Sequence, residues 1–416
     1  MVSGSNGTTS FMTDFLQKCG GYSVVDGGFA TELERHGADL NDPLWSAKCL
    51  VSSPHLVRKM WHIDTESLIF KSDSDVEATY ITMSISGALC AEIPCEVHLD
   101  YLDAGANIII TASYQVPANI PAYMGVAFFL LSLLKRNNNI CRLFNSMQAT
   151  IQGFEAKGFS TEEAEALLRR SVEIACEARE IYYDRCMKDS CDFTGSGRIS
   201  SHPVLVAASV GSYGAYLADG SEYSGDYGDA VSLETLKEFH RRRVLILANS
   251  GADLIAFETI PNKLEAKAYA ELLEEEGITI PAWFSFNSKD GINVVSGDSI
   301  LECASIADSC EQVVAVGINC TAPRFIHGLI LSVRKVTSKP VIIYPNSGET
   351  YNAELKKWVE STGVRDEDFV SYIGKWRDAG ASLFGGCCRT TPNTIKAISR
   401  VLSNKSLPSA NLNIQM

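Results

Sequence analysis

Cys387 and Cys388 stand side by side at the end of the run Leu383-Phe384-Gly385-Gly386-Cys387-Cys388-Arg389-Thr390. Successive side chains point to opposite faces of a strand, so neighbours reach one point only where the strand breaks up. Gly385-Gly386 is expected to supply the backbone freedom for that break. A third thiol, Cys320, closes another apolar run in Gly317-Ile318-Asn319-Cys320-Thr321. Three thiolates at strand ends would hold one zinc ion and leave its fourth position open, the layout of a catalytic site rather than a structural one. The competing reading of the pair is two buried small hydrophobes or a vicinal disulfide.

Two carboxylates close other apolar runs, Asp26 in Asp26-Gly27-Gly28 and Glu258 in Phe257-Glu258-Thr259. Their charge suits an ammonium group; alternatively, Asp26 caps a turn and Glu258 serves a buried ion pair. Glycine has no side chain in the way, so the amides of Gly27 and Gly28 could approach a substrate carboxylate closely. Asn319, Asn287, Ser113 and Tyr344 sit at comparable positions, where half of such residues are plain strand-end hydrogen bonders. The seven histidines show no zinc-binding spacing, and none is assigned as ligand or base. Cys176, Cys186, Cys303 and Cys310 fall on or beside helical segments and read as ordinary reduced thiols. Cys90, Cys95 and Cys141 should bind nothing.

The elements that must position these groups are legible as a rhythm. Short apolar runs ending in Gly, Asn, Thr or Cys recur at 22–26, 107–113, 204–210, 253–259, 278–286, 313–320, 340–345 and 381–386. Apolar runs of this kind read as parallel strands buried on both faces. Amphipathic helical patterns lie between them, at 162–185 (with Ala166, Leu167, Val172, Ala175 and Ile181 on one side), 232–250 and 263–276. Thr391-Pro392 marks a helix start, an N-cap followed by proline. Eight strand–helix units in series predict a single α/β (βα)8 TIM barrel with its active site at the strand C-termini. A doubly wound open sheet is disfavoured, because Asp26-Gly27-Gly28-Phe29 is too short for a dinucleotide loop.

Two stretches break the rhythm. Residues 60–96 show no helical period, and joining Lys59 directly onto Val97 gives one amphipathic helix ending at Gly105. Residues 116–148 carry the nine-residue apolar run 126–134 immediately after the second strand. Both are expected to be atypical insertions, in the first and second βα units of one domain spanning 1–416. Loops this long inside a compact domain are uncommon. The tail from about residue 407 should be frayed.

Composition narrows the partners. The chain has 416 residues, 46% hydrophobic and 21% charged, an ordinary globular balance. A formal net charge of -14 argues against nucleic acid or an anionic membrane and for a small-molecule substrate. Thirteen cysteines are too sparse for a disulfide scaffold at this length. The Ser/Gly/Thr-rich start lacks a secretory signal, so a reducing cytoplasmic location is expected. No segment reaches the ~20 apolar residues of a membrane span.

The combination Asp26-Gly27-Gly28, Phe257-Glu258-Thr259, Gly317-Ile318-Asn319-Cys320 and Gly385-Gly386-Cys387-Cys388-Arg389 resembles the zinc-dependent homocysteine S-methyltransferases. This family includes betaine-using enzymes and the homocysteine-binding domain of cobalamin-dependent methionine synthase. The stretch from Ser209 to Tyr223 is most similar to plant and microbial members using S-methylmethionine or S-adenosylmethionine. The resemblance implies one zinc per chain on Cys320, Cys387 and Cys388. It also implies that Asp26 and Glu258 engage the amino group of L-homocysteine, and Gly27, Gly28 and Asn319 are expected to complete its binding site. Methyl transfer from a sulfonium donor would then yield methionine, with S-methylmethionine the expected donor, S-adenosylmethionine second and betaine behind both. Tyr213, Tyr216 and Tyr223 could shelter the sulfonium by cation–π contact, or simply pack their loop. No residue beyond the zinc site needs to act as a base, since the metal itself would take up the thiolate. The alternatives are a catalytically impaired zinc-binding form, disabled by the two insertions, and a zinc hydrolase, disfavoured because three thiolates leave zinc a poor activator of water.

Overall fold

The computed structural model describes residues 7–36, 95–114, 150–155, 159–192, 202–217, 219–352, 357–359, 363–364 and 366–403. Residues 60–94 and 116–148, the bulk of the two expected insertions, lie outside the described residues, as does everything beyond Ser403.

All eight expected strand positions are occupied. They are β1 (Ser23–Val24), β2 (Ile108–Ile110), β3 (Leu205–Val210), β4 (Leu254–Ile260), β5 (Ala282–Phe286), β6 (Val313–Asn319), β7 (Val341–Tyr344) and, after a short antiparallel hairpin of β8 (Thr350–Asn352) and β9 (Lys357–Val359), β10 (Ala381–Phe384). They pair in the order β1-β10-β7-β6-β5-β4-β3-β2, every pair parallel. A parallel bridge between Val25 and Ile108 joins β1 to β2, and Asp26 N–H donates to the Ile108 carbonyl at 3.0 Å. The sheet is therefore closed into a barrel, as the eight-unit rhythm predicts.

The helices follow the expected segments with shifts of a few residues. Ser232 starts the helix Leu233–Ala248 with a capping box to Thr235, which satisfies backbone N–H groups the helix cannot bond itself. Residues 95–103 are helical and stop before Gly105, whose φ of 100° is the left-handed value that ends helices. The helix Thr161–Asp192 outruns the expected 162–185; Leu167, Val172 and Ala175 are buried as expected, while two residues of the expected face are not. Ala164, Leu168, Val172, Ala175 and Ala178 point inward, whereas Ala166 and Ile181 are exposed. The inward set recurs every three or four residues, and the two outliers fall between its rows.

One large apolar cluster fills the layer between strands and helices. A smaller one gathers Val25, Ile108, Ala207, Leu254, Trp283, Ile342 and Leu383 with Met12, Phe15 and Leu16. Those last three belong to the helix Gly7–Lys18, which the strand–helix rhythm does not announce. It plugs the end of the barrel where the strands begin. Each of its buried side chains contributes about 1.5–3 kcal/mol. With that end closed, the opposite rim is left for chemistry.

Candidate metal and substrate site

Cys320 leaves the end of β6, and Cys387 and Cys388 follow β10. Their three sulfurs all lie within 4.8 Å of one another. Cys388 Sγ is 3.9 Å from Cys320 Sγ and 3.9 Å from Cys387 Sγ. That is nearly twice a disulfide bond length, so the vicinal disulfide is not formed. Two sulfurs bound at ~2.3 Å to a tetrahedral zinc stand about 3.8 Å apart, so the donor set and its spacing fit that ion. Hydrogen bonds from Cys320 and Cys387 hold Cys388 below the usual thiol range.

The way two adjacent cysteines reach one point differs from the expectation. Neither Gly385 nor Gly386 has a left-handed backbone. Strand β10 ends at Phe384, and the chain turns through 387–390, where Thr390 N–H donates to the Cys387 carbonyl at 3.1 Å. The left-handed residue of this turn is Arg389, with φ 64°. Gly386 is required for close approach: a Cβ there would sit 2.2 Å from Thr390 Oγ1. That hydroxyl donates to the Cys387 carbonyl at 2.7 Å and accepts from Gly28 N–H at 3.1 Å.

Among the described residues, three non-glycine residues have positive φ: Thr259 (59°), Cys320 (46°) and Arg389 (64°). They follow Glu258, Asn319 and Cys388 on the same rim. Such conformations cost about 1–3 kcal/mol each and persist only where the surroundings impose them.

Asp26 is 2% exposed; its Oδ2 accepts from Ile110 N–H at 2.8 Å, while Oδ1 is buried without a partner. Burial pushes its carboxyl well above the usual range, and the neighbouring Glu258 adds to the rise. Glu258 accepts from Ser209 Oγ and from the Tyr344 hydroxyl, yet burial outweighs both and raises it to about 7. Tyr344 is further tied to Ser285 at 2.5 Å and Trp283 at 3.1 Å. Two buried carboxylates thus flank the thiols with spare acceptor capacity, which suits an ammonium group.

The remaining expected site residues are mostly committed to the protein. The Gly28 N–H is bonded to Thr390, and a Cβ on Gly28 would stand 2.7 Å from the Cys387 carbonyl. Gly27 lies against the Tyr101 ring. Both glycines therefore let β1 press against the cysteine turn. The Asn319 side chain bonds Thr259, and Ser113 Oγ donates to the Ser209 carbonyl at 2.7 Å. Asn287 keeps one buried acceptor unpaired.

The tyrosines divide. Tyr213 and Tyr216 both pack on Phe239, with ring centroids 4.9 Å apart in each case. Tyr223 instead stands near enough to Cys320 and Cys388 to feel their charge. The loop carrying all three is anchored by a buried cluster that no sequence spacing announces. Glu265, fully buried, accepts from Tyr213 N–H (2.6 Å), Tyr227 Oη (2.5 Å) and His240 Nε2 (2.9 Å), while Arg243 donates to the Gly211 carbonyl at 2.7 Å. Tyr114, Glu222, Thr390 and Arg389 were likewise missed. Arg389 could have been suspected from its place after Cys388; its Nε donates to Glu349 at 2.8 Å, and its charge helps to lower the Cys388 thiol.

Comparison with known proteins agrees with this geometry. The family model described as homocysteine S-methyltransferase matches residues 23–402. Homocysteine S-methyltransferase 3 of Arabidopsis thaliana is 62% identical over 403 residues, covering 97% of this chain and 95% of that protein. Selenocysteine Se-methyltransferase of Brassica oleracea var. italica is 57% identical over 410 residues, covering 98% and 97%. The metallated form of the homocysteine methyltransferase MmuM from Escherichia coli superposes with a TM-score of 0.63 at 35% identity, covering 91% of this chain and 96% of that one. Among the described residues, no helix is long and apolar enough to cross a membrane.

Proposed function

The chain belongs to the homocysteine S-methyltransferase family, and from that premise we propose how its own residues serve the reaction. It transfers a methyl group to L-homocysteine, forming methionine. The observation carrying the reading is the convergence of Cys320, Cys387 and Cys388 within 4.8 Å on one rim of the barrel. These thiols would hold one zinc ion per chain, and when bound the metal supplies a means of keeping the acceptor sulfur ionised near neutral pH. A free thiol, with a pKa of about 8.5, is largely protonated there.

The chain's residues do the rest by placement. Asp26 and Glu258 receive the acceptor's ammonium group, because each is buried and negative when ionised; Glu258 feels the charge of Cys388, and the Asp26 carbonyl is bonded to the N–H of Gly386, next to Cys387. The Gly27-Gly28 segment lets β1 lie against the cysteine turn, bringing Asp26 to the metal-binding sulfurs. Asn319 contributes through Thr259, fixing the backbone that follows Glu258. A sulfonium compound, S-methylmethionine before S-adenosylmethionine, is the donor; the loop from Ser209 to Tyr223 supports this choice by its similarity to sulfonium-using relatives.

The deciding experiment incubates the purified full chain with homocysteine and each of S-methylmethionine, S-adenosylmethionine and betaine, then measures methionine and bound zinc. Methionine formed from a sulfonium donor, with one zinc per chain, is the expected result. Selenocysteine is included as acceptor because a relative 57% identical is named for it. A chain lacking 60–96 and 116–148 runs in parallel. Zinc retained without turnover in the full chain, together with turnover in the shortened one, would identify this form as impaired.

A further inference from the structure

Two buried oxygen acceptors, one on Asn287 and one on Glu222, remain without partners. Asn287, at the end of β5, is 2% exposed, and its Oδ1 is buried and unpaired. Its orientation is fixed, because Nδ2 donates to the Glu222 carbonyl at 3.0 Å. Glu222 itself presents a buried, unpaired Oε2. The residue after Asn287 is bonded to the residue after Cys320: Ser288 donates its N–H to Oγ1 of Thr321 at 2.9 Å. The Tyr114 phenol lies within electrostatic reach of both Glu222 and Cys320, and that of Tyr223 reaches Glu222, Cys320 and Cys388.

A buried carboxylate oxygen without a partner is costly, and a second unpaired acceptor beside it compounds the cost. Both are relieved together by a ligand that brings positive charge and N–H donors. In the function proposed above, the acceptor's ammonium goes to Asp26, just after β1, and Glu258, in β4. The reaction needs one more cation, the methyl donor.

We propose that Glu222 and Asn287 form the seat of the methyl donor, taking the ammonium group of a sulfonium amino acid. This deepens the function above and rests on it. During transfer, the acceptor sulfur forms a bond to the methyl carbon while the bond from that carbon to the donor sulfonium breaks. The electron pair of the broken bond stays on the donor sulfur, which leaves as a neutral thioether. Glu222 would hold the donor's ammonium through this step and takes no part in the bond exchange. Betaine carries a quaternary nitrogen with no N–H, so it cannot satisfy these two acceptors by hydrogen bonding.

The test uses the full, zinc-loaded chain with Glu222→Gln, Glu222→Asp and Asn287→Ala. Glu222→Gln should raise the KM for S-methylmethionine about tenfold or more, as expected for losing a charge-assisted bond. Glu222→Asp should recover part of that loss. Asn287→Ala should raise the donor KM about threefold to tenfold, the scale of a neutral bond. The homocysteine KM and zinc content should stay within about twofold of the parent, and S-methylmethionine binding by calorimetry without acceptor should weaken in step. A donor KM that stays put in both Glu222→Gln and Asn287→Ala overturns the proposal, and so does a rise confined to homocysteine. Should one variant fail to fold, as judged by its melting curve, the other decides. Failure of the parent chain to make methionine from any sulfonium donor is a separate outcome, which overturns the function on which the seat depends.

Discussion

Asn319 holds Thr259 at two points: its Oδ1 accepts from Thr259 N–H at 2.8 Å, and its Nδ2 donates to Thr259 Oγ1 at 2.8 Å. The link crosses from β6 to β4 and joins the neighbour of Cys320 to the neighbour of Glu258. Thr259 is β-branched and left-handed, a combination the backbone resists, so this pair of hydrogen bonds stabilises a conformation the residue would not choose.

Asn319→Ala should therefore destabilise the fold by about 1–3 kcal/mol, since it leaves the buried Thr259 N–H unpaired. Urea denaturation measures that loss. The homocysteine KM should rise at the same time, because Glu258 precedes the released residue. Unchanged stability would show that Thr259 needs no such clamp.

The barrel was readable because parallel strands buried on both faces leave apolar runs with clear ends, and helices packed outside leave a 3.6-residue period. The cysteine triad was readable for a related reason: strand C-termini in such a barrel all open on one rim, so distant thiols there become neighbours. The cap Gly7–Lys18 was not readable, because a short amphipathic segment carries no mark of which surface it will cover. Asn319 illustrates the same limit inside the site. Its position at a strand end was evident, but its partner, Thr259, is set by register between β4 and β6, which no local pattern encodes. The glycines before Cys387 suggest backbone freedom, whereas the space taken by Thr390 is what demands Gly386.

Gly386→Ala tests that last point. The added methyl would meet the Thr390 side chain, at 2.2 Å from Oγ1 and 2.7 Å from Cβ. Thr390 cannot withdraw without breaking its bonds to Gly28 and Cys387. A loss of about 1–3 kcal/mol is expected, the usual cost of overpacking. Zinc affinity should fall as well, since Cys387 moves with the turn. Both are measurable on one preparation, by thermal denaturation and by competition with a chromogenic chelator.

Glu258→Gln keeps the shape of the side chain while removing its charge. Its bonds from Ser209 and Tyr344 can persist, because the amide oxygen still accepts. The homocysteine KM should rise about tenfold or more, with zinc content unchanged. An unchanged KM would return Glu258 to a purely structural role.

His36 gives a pH-dependent prediction away from the site. Its Nε2 lies 2.7 Å from Asp100 Oδ2, and that bond raises the imidazole above its ordinary value. A base raised on folding stabilises the protein fully below its unfolded value, near 6.5, and loses that contribution as pH rises through the folded value. The contribution is about 0.5–1 kcal/mol, discounted because Asp100 is 40% exposed. Melting temperatures of the parent and of Asp100→Asn should thus differ most in mildly acid buffer and converge in alkaline buffer. A gap that widens with pH would contradict the pairing.

The zinc prediction separates the triad from the other thiols. Cys303 is fully buried and its thiol is pushed up to about 12, mainly by burial, so it is a packing residue and not a ligand. Cys388 is the sulfur that approaches both others at 3.9 Å. Cys388→Ser should lose the bound zinc and with it methionine formation, because the remaining two thiols cannot hold a catalytic ion alone. Cys303→Ala should keep its zinc and its turnover while losing about 1 kcal/mol or more of stability from the vacated space. Metal analysis on the two variants, each purified beside the parent, distinguishes ligand from core thiol. Zinc retained at one equivalent in Cys388→Ser would mean that the three sulfurs meet without binding the metal together.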